Sequence, residues 1–126
     1  MSTAPPGNGT DPVIDNYSYL FKNNRERIKW AGYLSTTSVY GDKKGEWVSE
    51  ETVLKPSLER SILRVAAENL WIKLGDILAT KTMIFRLAGI YGPGRSLVDR
   101  LIQTDRIYVV DQPAHLFNRI HIEDIV

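Results

Sequence analysis

Apolar positions along this chain recur with two different periods, and the places where the period changes divide it into elements. The longest regular stretch opens at Ser57. Leu58, Ile62, Ala66, Leu70 and Leu74 recur every four residues, and Leu63 and Ala67 widen the stripe, which predicts an amphipathic helix from Ser57 to a stop at Gly75. A weaker helix is expected to start at Asp11-Pro12, where Asp can accept from orphan N–H groups and Pro suits the first helical position. Its apolar positions are Leu20, Phe21 and Ile28, and it ends before Gly32. The segment Tyr33 to Tyr40 is rich in β-branched and aromatic residues and predicts a strand that runs into a turn at Gly41-Asp42. Residues 41–56 read as an irregular connection. Met83 to Ala88 predicts a second strand, closed by the glycine-rich turn Gly89 to Gly94. A short helix (Ser96 to Gln103), a third strand (Arg106 to Val110) and an extended tail from Phe117, turning helical near Glu123-Asp124, complete the pattern. Residues 1–12 read as loop.

Helices alternating with apolar strands predict an α/β fold, in which a parallel sheet is covered by helices. Composition narrows the class further. The chain has 126 residues, with 16 basic and 15 acidic side chains, so it carries no net field that would attract nucleic acid or a membrane surface. No apolar run approaches the ~18–20 residues that span a bilayer. The absence of cysteine excludes disulfides, thiolate zinc sites and thiol nucleophiles. The first residues, Met1 to Gly7, have neither the positive nor the apolar region of a signal peptide, and a cytoplasmic location is expected.

Three groups of residues could carry chemistry. Ser35, Thr36, Thr37, Ser38 and Tyr40 would stand at the carboxyl end of a parallel strand, where α/β proteins bind ligands; the same residues also suit a strand and a turn without any ligand. The turn Gly89-x-x-Gly92-x-Gly94 follows a strand and precedes a helix, with Asp111 near the spacing of a ribose-binding acid. Its glycine spacing differs from the dinucleotide fingerprint and Pro93 lacks an N–H, so backbone approach to a ligand is expected there rather than a pyrophosphate cradle. Arg60, Arg64 and Glu68 share one helix face and read as a solvated stripe, while Arg95 and Arg119 could pair with an anionic ligand. His115 and His121, with Asp111, Glu123 and Asp124, show no short ligand spacing, and no metal is expected.

Three segments in this order resemble the extended and atypical short-chain dehydrogenases/reductases, the NAD-dependent epimerase/dehydratase-like family. They are Tyr33-Leu34-Ser35-Thr36-Thr37-Ser38-Val39-Tyr40-Gly41-Asp42, Arg86-Leu87-Ala88-Gly89-Ile90-Tyr91-Gly92-Pro93-Gly94-Arg95, and Phe117-Asn118-Arg119-Ile120-His121-Ile122-Glu123-Asp124-Ile125-Val126. Together they span residues 33–126, and Ser2 to Val13 is similar to a loop of the atypical branch. The resemblance implies a partial Rossmann-like, doubly wound parallel sheet with flanking helices over residues 1–126. It also implies NAD or NADP as cofactor and a nucleotide sugar or similar polyol as substrate. By the resemblance, Thr36 holds the position of the catalytic Ser/Thr, with Thr37 beside it. Leu87, Ala88, Gly89 and Ile90 border the nicotinamide, Arg95 lies near substrate phosphates, and His121 shapes the substrate side. Two departures stand out. The family's Tyr-x-x-x-Lys pair falls on Arg60 and Arg64, and an arginine stays protonated and cannot take a proton from an alcohol. Arg64 can still hold a phosphate or another anion. No glycine-rich phosphate loop of the G-x-G-x-x-G kind occurs in the sequence. The chain therefore reads as a central piece of the domain. Alternatives are a non-catalytic nucleotide-binding or scaffold protein on the same fold, or a product without activity of its own that associates with itself. A plastid location would require a transit peptide outside this sequence.

Overall fold

A computed structural model describes residues 1–7, 9–104 and 116–125. Helix α1 spans Pro12–Asn23, and Asp11 caps it, its carboxylate accepting from the N–H groups of Val13 and Ile14. Strand β1 (Trp30–Thr36) leads into a 3-10 turn at Thr37–Tyr40. Helix α2 (Glu59–Leu78) and strand β2 (Lys81–Leu87) follow. Strands β3 (Gly89–Tyr91) and β4 (Arg119–His121) flank helix α3 (Leu97–Thr104) in sequence. β1 pairs parallel with β2, from Trp30 opposite Lys81 to Thr36 opposite Leu87, and β3 pairs parallel with β4. Ser2 adds a parallel bridge to Tyr33 on the other edge of β1. This is the α/β architecture of a Rossmann-like sheet, with parallel strands joined by helical crossovers.

The core lies between α2 and one face of the β1–β2 pair. Tyr33, Ala67, Trp71, Leu74 and Leu78 are buried together, with Ile84 and residues of α1 packed against them. Tyr33 and Trp71 stack with ring centroids 5.9 Å apart, and the Trp71 indole N–H donates to Asp11 at 3.1 Å. One buried carboxylate thus caps α1 and ties it to α2.

Several boundaries differ from the sequence pattern, each for a physical reason. The first strand starts at Trp30 and stops at Thr36, because the Thr36 hydroxyl accepts from the Ser38 N–H and turns the chain. The long helix passes through Gly75 to Leu78 and ends at Ala79, which takes the left-handed conformation with φ 51°. Gly75 is there for packing: a Cβ would collide with the Thr82 hydroxyl of β2. The glycine turn begins with a strand, β3, and the tail becomes β4 followed by a 3-10 turn at Ile122–Asp124 rather than an α-helix. The strand expected at Arg106 to Val110, like Asp111 and His115, lies outside the described residues.

Candidate functional site

The carboxyl ends of β1 and β2 bring two of the motifs together. Thr36 is paired in register with Leu87, so the hydroxyl pair Thr36 and Thr37 stands beside the half-buried run Leu87, Ala88, Gly89 and Ile90. The Thr36 oxygen accepts from the Ser38 N–H at 3.3 Å and keeps its own proton to donate. Ser38 is paired with the buried Ser61 of α2 at 2.9 Å, so its hydroxyl anchors the turn to the helix. Gly89 is closed in: its N–H donates to the Asn118 carbonyl, and a Cβ would come within 2.7 Å of the Arg119 guanidinium.

The expected solvated stripe on the long helix requires correction. Arg60 is exposed, but Arg64 is half-buried and Glu68 is buried. Arg64 donates to the Tyr33 hydroxyl at 2.9 Å and to the Leu34 carbonyl at 3.1 Å, which ties α2 to β1. Burial raises the Tyr33 pKa above its usual 10.0, and the Arg64 hydrogen bond and charge partly oppose that rise. Glu68 receives Arg86 of β2 through both carboxylate oxygens, the shortest contact being 2.9 Å. Arg86 also donates to the Tyr40 hydroxyl at 3.0 Å and the Glu50 carbonyl at 3.2 Å. The hydrogen bond to Glu68 is the largest reason the Arg86 pKa is raised. Arg86 and its contacts were not singled out from sequence. The β1–β2 pairing that places it opposite Ser35, one position before Thr36, is a tertiary fact.

A separate cavity of about 630 Å³ opens between β3, the start of α3 and β4. Ile90, Tyr91, Ser96, Arg95, Arg100 and Arg119 are among its lining residues, and among the described residues no carboxylate lines it. Arg95 and Arg119, far apart in sequence, therefore line one cavity together with Arg100. Arg100 follows from α3 alone and was missed because a lone exposed arginine on a short helix carries no pattern. Ser96 caps α3 by a reciprocal pair with Asp99, whose carboxyl its hydroxyl and N–H hold below the usual carboxylate range. The Arg119 guanidinium lies 5.3 Å over the Phe117 ring. His121 sits beside this cavity, edge-on to Tyr91 at 5.0 Å. Among the described residues no cluster could hold a metal ion, and no helix is long and apolar enough to cross a membrane.

Parallel strands with helical crossovers, a hydroxyl pair at the strand ends and an adjoining basic cavity define a Rossmann-like α/β protein. No family model and no curated protein matches the sequence. Solved structures do. A functionally unknown conserved protein from Silicibacter pomeroyi is 42% identical over 98% of this chain and 42% of its own, with TM-score 0.84. A protein from Methylobacillus flagellatus assigned as an NAD-dependent epimerase/dehydratase is 33% identical over 74% of this chain and 31% of its own, with TM-score 0.53. The UDP-glucuronic acid 4-epimerase of Bacillus cereus, solved with NAD, is 26% identical over 68% of this chain and 29% of its own, with TM-score 0.56. The chain spans less than half the length of each. It belongs to the NAD-dependent epimerase/dehydratase-like family of short-chain dehydrogenases/reductases.

Proposed function

We propose that this chain forms part of an NAD(P)-binding, epimerase/dehydratase-like oxidoreductase acting on a nucleotide sugar or similar polyol, and that its arginine cavity takes the phosphate end of that substrate. The observation that carries the reading is the cavity itself, which Arg95, Arg100 and Arg119 line with no carboxylate among the described lining residues. Planar guanidiniums suit phosphate because each can offer two parallel N–H donors. The Bacillus cereus relative, which by its name acts on a UDP-sugar, supports the same ligand class. Thr36 donates to the reacting oxygen of the sugar, with Thr37 as its neighbour, while Leu87 to Ile90 border the nicotinamide. The residues at the strand ends fit that end of the cofactor: a free hydroxyl proton stands beside a half-buried apolar run. Bound there, NAD(P) would accept or return a hydride. Arg64, expected as an alternative anion ligand, directs its Nη1 to Tyr33 and Leu34, and its remaining donors can still meet an anion beside the strand ends.

Arg60 and Arg64 favour a second reading, a nucleotide-binding protein without hydride transfer. Neither arginine can exchange a proton with an alcohol near neutral pH. Calorimetric titration of UDP-glucose and free glucose tests the first reading. UDP-glucose is expected to bind, glucose to bind far more weakly, and Arg119→Ala to weaken UDP-glucose roughly tenfold, about 1.4 kcal/mol. Equal affinity for both sugars would overturn the phosphate assignment. The full-length protein carrying Arg60→Tyr and Arg64→Lys, assayed with NAD, separates the two readings. A gain of turnover indicates that the arginines replaced a working dyad, and unchanged turnover counts against catalysis through those positions.

A further inference from the structure

Residues 41–58, which join the Thr37–Tyr40 turn to α2, form a loop tied at its neck, with a tip held by its own turns at Lys43–Glu46 and Ser49–Thr52. Gly41, at φ 73°, has no room for a Cβ because the Lys55 carbonyl oxygen fills that space. Lys43 donates to the Val53 carbonyl at 3.1 Å, and Arg86 holds the Glu50 carbonyl at 3.2 Å. The tip is different. Trp47 is 100% exposed and Val53 68%, so a large apolar side chain stands wholly in water. Lys44 at φ 52° and Gly45 at φ 86° form the turn beside it. Surface of that kind, on the order of 150–250 Å² for an aromatic side chain, is covered at a gain whenever something can fold under it.

The tip touches the segment that leads into the cavity wall. Gly45 lies against Leu116, so close that a Cβ would stand 3.1 Å from Leu116 Cδ1. Leu116 is followed by Phe117, whose ring lies against the Arg119 guanidinium, and Arg119 lines the cavity. A continuous path of contacts therefore runs from the turn beside Trp47 to a cationic group that has no carboxylate beside it among the described lining residues. We propose that loop 41–58 is a strap that closes over the arginine cavity when an anion occupies it. The anion draws Arg119 inward, Phe117 and Leu116 follow, and the Gly45–Trp47 tip comes down on the mouth, covering Trp47 and excluding water from the ionic contacts. Water exclusion strengthens those contacts, which is how closing loops commit a ligand. This inference rests on the reading that the cavity binds an anion.

Inorganic pyrophosphate titrated into the full chain, followed by calorimetry and by tryptophan fluorescence in parallel, tests it. A saturating heat is expected, with the emission shifting to shorter wavelength at the same midpoint. Trp47→Phe should abolish the shift and keep the heat. Leu116→Ala, at an exposed residue outside the cavity lining, should keep the heat and diminish the shift. Saturating heat with no shift, or a shift that survives Trp47→Phe, overturns the strap and leaves the anion site standing. Absence of heat overturns both.

Discussion

Single polar groups at the edge of the core decide much of what this protein can do, and half-buried Arg64 is the clearest case. At the position where the family resemblance expects lysine, its guanidinium satisfies the buried Tyr33 hydroxyl and the Leu34 carbonyl. Arg64→Ala would leave that phenol buried without its donor, at a cost of about 1–3 kcal/mol in denaturant unfolding. Tyr33 also gives the protein an alkaline limit. Burial raises its folded pKa above 10.0, so above that pH the unfolded chain releases the phenolic proton while the folded chain retains it. The unfolded state then binds fewer protons, and stability falls as pH rises from about 10 through the folded pKa. Tyr33→Phe should flatten that decline in urea melts repeated across alkaline pH. Glu68 is the other decisive residue, 2% exposed and paired with Arg86. Removing one partner of a buried pair costs about 3–5 kcal/mol, and because the Arg86 side chain is 20% exposed, Glu68→Ala should fall at or below the low end. The i, i+4 spacing of Arg60, Arg64 and Glu68 was legible in the sequence. Which way that face points was not, since spacing places residues on one side of a helix without saying what lies opposite.

At the scale of elements, α2 and β2 are matched through a glycine. In an exposed helix, Gly→Ala would stabilise by about 1 kcal/mol. At Gly75 the sign reverses, because the new methyl would meet the Thr82 hydroxyl and the Thr80 carbonyl. Gly75→Ala is expected to cost about 1–3 kcal/mol by overpacking, read as a lower melting temperature. A raised melting temperature would show that β2 yields to the helix. The same glycine read from sequence alone looks like a helix stop, because chemistry that permits a left-handed cap also permits close approach. The strand-to-turn change at Thr36 was hidden for a related reason. Thr37 to Tyr40 has strand composition, and only the Thr36 side chain accepting from Ser38 makes it a turn. That local bond is what sets the hydroxyl pair at the strand's end rather than within it.

Across the whole molecule, one face of the β1–β2 pair carries α2, and large side chains on the other stand partly in water. Alternation places Trp30, Leu34, Met83 and Phe85 on that second face, and Trp30, Met83 and Phe85 are 46%, 46% and 38% exposed. A contiguous apolar surface of this kind drives association. The 126-residue chain should sediment as a concentration-dependent mixture, and Phe85→Ser should shift it toward monomer; a single monomeric species at all concentrations would contradict this. The sequence by itself determined the α/β class, the cap at Asp11, and the three segments of family resemblance, because periodicity, capping and turn chemistry are local. Tertiary structure alone decided that Arg64 and Glu68 turn inward, that Arg86 joins helix, strand and loop, and that Arg95, Arg100 and Arg119 share one cavity. Those relations depend on which strands lie side by side, and parallel pairing brings together residues that no short window of sequence contains.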